Sequence, residues 1–225
     1  MIHTFNSVAA LFRREFQITY RNFTDILSIL LFFLLGIVIF VFAIGPNKEI
    51  FDEINVGIIW TLILLSNTLS IRKFFQDDFD DNSIILFHMS GLSYEIIVII
   101  KIISIWIFIQ IPFFIIIPFS YILLNLDFNN IKIFYISFLI GSSIISCITS
   151  ISSSMNLLNK KNFAIGSLII MILSIPVIIF SVNLIFISKE IADAQIKILL
   201  GIMFLFFAIT PWVSASCIKL GLQNK

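Results

Sequence analysis

The sequence predicts an all-α polytopic membrane protein, with six transmembrane helices behind an N-terminal interfacial amphipathic helix and both termini on the inner face. Three observations carry this. The 225 residues are 60% hydrophobic and only 12% charged, with a mean hydropathy of +1.11, outside the balance of a soluble domain. Apolar runs recur at about 20 residues, the length needed to cross a hydrocarbon core of about 30 Å. Lys and Arg are unevenly divided between the two sets of loops, and that division sets orientation.

The elements follow in chain order. Residues 5–23 place Phe5, Val8, Phe12, Phe16, Tyr20 and Phe23 at helical spacing, with Arg13, Gln17 and Arg21 on another face. A helix so patterned lies in the headgroup plane; a positively charged flank that only fixes topology is the simpler alternative. The first span, about 26–44, lacks a small-residue cleavage site and reads as a retained anchor. The second, about 54–71, is short and carries Asn55, Thr61, Ser66, Asn67, Thr68 and Ser70. The third, about 96–124, is long for one upright helix; Pro112 and Pro118 are expected to kink it, and Lys101 to snorkel from its inner end. The fourth, about 131–155, contains Gly141, Ser142, Ser143, Ser146, Cys147, Ser150 and Ser152 to Ser154. Such residues let helices approach closely, and a substrate path or dimer seam is the functional alternative. The fifth and sixth spans, about 163–187 and 196–218, each hold one proline, Pro176 and Pro211. No linker or repeat divides the chain, so residues 1–225 read as one domain.

With the N-terminus inside, ten of the 14 Lys and Arg residues fall on the inner side: Arg13, Arg14, Arg21, Arg72, Lys73, Lys101, Lys160, Lys161, Lys219 and Lys225. Lys48, Lys132, Lys189 and Lys197 fall outside, so the positive-inside rule favours both termini inside.

Several function classes are disfavoured. A net charge of +1 supplies no basic surface for nucleic acid. The sequence has no G-x-x-x-x-G-K-[ST] phosphate loop, HExxH or CxxC, and no Ser/His/Asp set, so neither catalytic nor metal-binding residues are assigned. Cys147 and Cys217 read as packing residues. The spans hold almost no ionisable groups, whereas ion-coupled carriers need them; any transport energy is then expected from another polypeptide.

Against this background residues 72–81 stand out, because six charged side chains fall within ten positions. Each would cost roughly 2.5–3.5 kcal/mol at the bilayer centre, so the segment is expected in water or against a partner. Asp81, Asn82 or Ser83 can cap a short helix through Ile84–Met89, ended by Gly91. Arg72, Lys73, Asp77, Asp78, Asp81 and Ser83 are the candidate docking residues for a partner, with a solvated acidic loop as the plain alternative.

Ile44-Gly45-Pro46, Gly57-Ile58-Ile59-Trp60, Leu64-Leu65-Ser66 and Phe75-Gln76-Asp77-Asp78 resemble the haem exporter protein B (CcmB) family. The resemblance extends in hydropathy over nearly the whole chain. It implies the ABC-2-type permease subunit of the cytochrome c maturation system, two copies of which pair with a separate ABC ATPase that holds ATP. It also implies a haem-handling membrane protein and a small accessory subunit as partners, haem as cargo of the complex rather than a cofactor of this chain, and ATP-driven release of a haem-loaded chaperone. The implied location is the bacterial inner membrane, or the mitochondrial inner membrane for an organelle-encoded chain. The family pattern has Asp-Gly-Ser where this chain has Asp81-Asn82-Ser83; Asn also tolerates the left-handed region, so the turn is expected to survive. A permease for another cargo (lipid, glycan or drug) and a non-transporting scaffold are the rival readings.

Overall fold

The computed structural model describes residues 2–45, 48–158, 163–187 and 189–224. Among them every regular element is helical: α1 (Ile2–Arg21), α2 (Phe23–Ile44), α3 (Lys48–Thr68), α4 (Ile71–Asp80), α5 (Ser83–Met89), α6 (Tyr94–Leu123), α7 (Ile131–Asn156), α8 (Phe163–Phe186) and α9 (Lys189–Gln223). A single 3-10 turn, Phe128–Asn130, precedes α7. Six stretches are long and apolar enough to span a bilayer: Phe23–Ile44, Ile54–Asp80, Tyr94–Leu123, Phe128–Asn156, Ile165–Phe186 and Ile191–Gln223. Lys160, Lys161 and Lys225, expected on the inner side, lie outside the described residues, as do the side chains of Lys48, Lys189 and Phe5.

Helix α7 forms the middle of the bundle and packs against α3, α4, α6, α8 and α9. Its small side chains make that possible. Gly141 faces the fully buried Trp60 ring of α3, with Ser181 Oγ of α8 3.2 Å from where a Cβ would sit. The hydroxyls are absorbed locally: Ser143, Thr149 and Ser154 donate to carbonyls one turn back at 2.7–2.8 Å. Others cross to neighbours, Trp106 Nε1 donating to Ser142 Oγ at 3.1 Å and Ser152 Oγ to the Gly166 carbonyl. The serine stripe therefore packs helices within one chain, and its burial leaves no seam there for a second copy. Gly141→Val forces the side chain into Trp60, which is wedged against Phe134 and Phe138. Its expected cost is about 1–3 kcal/mol, read as a lower melting temperature of the purified protein in detergent; an unchanged value would refute this packing.

The outer surface is apolar. Leu35, Ile39 and Phe42 of α2, Leu168, Ile172 and Ile175 of α8, and Phe204 and Trp212 of α9 are all exposed. Such a surface suits lipid and would be a liability in water.

Two features depart from the sequence expectations. Residues 71–80 form helix α4, rather than an aqueous loop, with Ile71, Phe74, Phe75 and Phe79 buried. The break before it comes from hydroxyl and amide side chains that compete for the backbone: Ser70 Oγ donates to the Asn67 carbonyl at 2.7 Å, and Thr68 Oγ1 to that of Leu65 at 2.6 Å. Lys101 does not snorkel; it is only 2% exposed.

Helix α1 fits the interfacial expectation with a different inward face. Leu11 and Glu15, one turn apart, turn into the bundle, while Phe12, Phe16 and Tyr20 remain exposed. Arg13, Gln17 and Arg21 are exposed further round the helix.

Candidate functional site

At one end of the bundle four charged side chains from three helices meet. Lys101 of α6 lies among isoleucines, so its ammonium needs counter-ions nearby. Asp78 of α4 supplies one through Oδ2 and Glu15 of α1 the other, with Oε2 at 3.3 Å. Arg14 closes the ring, Nη2 reaching Asp78 Oδ1 at 2.8 Å and Nη1 reaching Glu15 Oε1 at 3.0 Å. Two cations and two carboxylates balance, and three of the four side chains are buried.

Helix α5 is tied to the same ring. Arg14 Nη2 lies 3.4 Å from Ser83 Oγ, and its guanidinium sits 4.8 Å from the centroid of the Phe87 ring. The α4–α5 turn depends on Asn82, whose φ of 60° is left-handed, so the tight turn expected at this position is kept. Gly91, at φ 89°, ends the α5 segment in the same region.

Two outlying ion pairs extend the site. Lys73 of α4 meets Asp25 of α2 at 3.3 Å. Lys219 of α9 meets Glu95 at the start of α6 at 3.1 Å, and lies over Tyr94, which stacks on His88 with centroids 4.3 Å apart. Both pairs reach solvent and contribute little stability singly. The buried ring differs: as a whole it gains little over apolar packing, but losing one member leaves a buried charge uncompensated. Its effect is to fix the relative position of α1, α4 and α6.

The structure divides the six residues singled out from sequence. Asp78 belongs to the ring, Ser83 is tied to it through Arg14, and Lys73 binds α2. Arg72, Asp77 and Asp81 are exposed. Arg14, Glu15 and Lys101 were not singled out. A signal existed, since Lys101 is the lone charge in α6 beyond Glu95 and Glu15 the lone acid in α1.

Comparison with known proteins places this architecture. The model of the CcmB protein family matches residues 6–221, from within α1 almost to the end of α9. The chain belongs to the CcmB family. Among CcmB relatives, heme exporter protein B of Haemophilus influenzae is 30% identical over 218 residues, covering 94% of this chain and 97% of that protein. Heme exporter protein B of Bradyrhizobium diazoefficiens is 26% identical over 220 residues, covering 96% and 99%. That of Pseudomonas aeruginosa is 26% identical over 174 residues, covering 77% and 78%. The CcmB match takes in all members of the charge ring and all six spans, so the ring sits inside the family region of a multi-pass membrane protein.

Proposed function

We propose that this chain is the membrane permease subunit of a haem-export complex for cytochrome c maturation, driven by a separate ABC ATPase. Family membership and the names of its full-length relatives support the export role. The observation that carries the coupling role is the construction of α4 and α5. They are anchored through Asp78 to α1 and α6, and present an exposed apolar tip, Leu86 and Met89, beside exposed Asp77, Asp80 and Asp81. In this reading the ATPase grips the α5 tip, and the acidic residues steer it by pairing with basic groups. A push on α5 then reaches α6 and α1 together, because Asp78 is bonded to both.

The remaining assignments follow the same reading. The whole chain acts as one permease domain in the bacterial inner membrane, with α1, α4 and α5 on the cytoplasmic side where ATP is available. It acts with a second copy of itself, a haem-handling membrane protein and a small accessory subunit. ATP is held by the partner and haem is cargo.

The test replaces Asp77 and Asp81 with Ala while keeping Asp78. Co-purification of the ATPase and the yield of cytochrome c are both expected to fall by about two- to fivefold, in proportion to exposed charge pairs. Normal values for both would sink the coupling assignment.

A further inference from the structure

At the end of the bundle opposite the charge ring, a polar pocket of about 410 Å³ opens between the ends of α3, α6 and α8 and the loop that leads into α7. That volume falls within the roughly 300–1,000 Å³ of small-molecule sites. Asn55, Tyr121, Asn125, Asp127 and Asn130 give it polar walls, and Leu126, Ile185 and Phe186 an apolar rim. We propose that this pocket binds the ethanolamine headgroup of a bilayer phospholipid.

Four observations support that chemistry. First, Tyr121 is 1% exposed and its hydroxyl has no hydrogen-bond partner among the described residues. A buried hydroxyl is held unpaired at a free-energy penalty, and a ligand oxygen would relieve it. Second, the walls are prearranged. The Leu126 N–H donates to the Tyr121 carbonyl at 2.9 Å, the Asn130 N–H to that of Asp127 at 3.3 Å, and Asn125 is left-handed at φ 53°. Asn55 accepts the Val56 N–H through its side-chain carbonyl at 2.7 Å, which turns its amide NH2 to other partners.

Third, the charge is selective. Asp127 provides one carboxylate, and among the described residues no Lys or Arg lines the pocket. An anionic headgroup would meet Asp127 without a counter-ion, whereas a primary ammonium gives it N–H donors. The Asn amides and the Tyr121 hydroxyl can then donate to the phosphodiester oxygens. A choline headgroup carries no N–H and leaves the acceptors unmatched. Fourth, the pocket lies where the apolar helices Tyr94–Leu123 and Ile165–Phe186 end, the level at which a span of that length meets the headgroups. The apolar rim there meets glycerol and the first methylenes.

The test uses the full chain reconstituted in bilayer discs of phosphatidylethanolamine and phosphatidylcholine with matched acyl chains, the retained lipid being counted by native mass spectrometry after re-extraction. The ethanolamine lipid is expected to be retained about tenfold over the choline lipid. Asp127→Asn should abolish that preference, whereas Tyr121→Phe, which loses a donor to the phosphodiester common to both lipids, should lower retention of each by about threefold and leave the preference in place. Asp127 is exposed, and Phe at 121 preserves the ring contacts with Phe128 and Phe134, so both variants keep the fold. Equal retention of the two lipids, or an Asp127→Asn protein that still prefers ethanolamine, overturns the proposal and leaves the pocket to water.

Discussion

Replacing Lys101 with Met is expected to cost about 3–5 kcal/mol, because Glu15 and Asp78 are then buried with Arg14 as their one remaining cation. The loss is read as a lower melting temperature in detergent and a smaller monodisperse fraction. Met matches the Lys stem in length and apolarity, so packing changes little and the charge imbalance dominates. A second variant separates charge from shape. Adding Glu15→Gln to Lys101→Met restores one cation against one carboxylate, Arg14 with Asp78, and is expected to recover at least half of the loss. Groups within one network couple in this non-additive way. A single variant as stable as the parent, or a double variant no better than the single, would show that the ring does not hold α1 and α4 to α6.

On the proposed coupling to an ATPase, the second large effect is expected at the α5 tip. Leu86 and Met89 are 63% and 78% exposed, so Leu86→Asp with Met89→Asp leaves the fold and its melting temperature intact. Interface energy concentrates in a few desolvated side chains. Retention of the ATPase is therefore expected to fall by at least about tenfold, a loss of about 1.4 kcal/mol or more. The contrast with Lys101 is diagnostic: one substitution unfolds the joint, and the other preserves the joint while removing its grip. Full ATPase retention by the double aspartate variant would place the contact elsewhere.

The six spans were legible because each apolar run satisfies the same length requirement independently of the others. Their ends were less so. The last helix begins at Lys189 rather than near residue 196, since backbone hydrogen bonding continues through polar residues once a helix has started. Helix α4 was hidden by its charges: Arg72, Asp77 and Asp80 occupy the solvent side, while Phe74, Phe75 and Phe79 carry the burial. Asn82 was readable because the left-handed region admits few residue types.

The charge ring was the least legible part. Two of its four ion pairs join residues 64 and 86 positions apart, and no local period encodes them. What the sequence held was the isolation of Lys101 in an apolar helix, which requires a counter-ion without saying which. That is why Asp78 first appeared as one of several surface acids, whereas its neighbour Asp77 is the one that faces out.

The order of the ring's members along the chain bears on biogenesis. Glu15 and Asp78 are both translated before Lys101, as is Arg14. When the third span leaves the ribosome, the two carboxylates that neutralise its ammonium have already been made. The reverse order would commit a lone cation to the hydrocarbon while its counter-ions were still unsynthesised, at roughly 2.5–3.5 kcal/mol for a central position. The contact of Glu15 with Lys101, which docks α1 on α6, therefore forms only after the third span has been made.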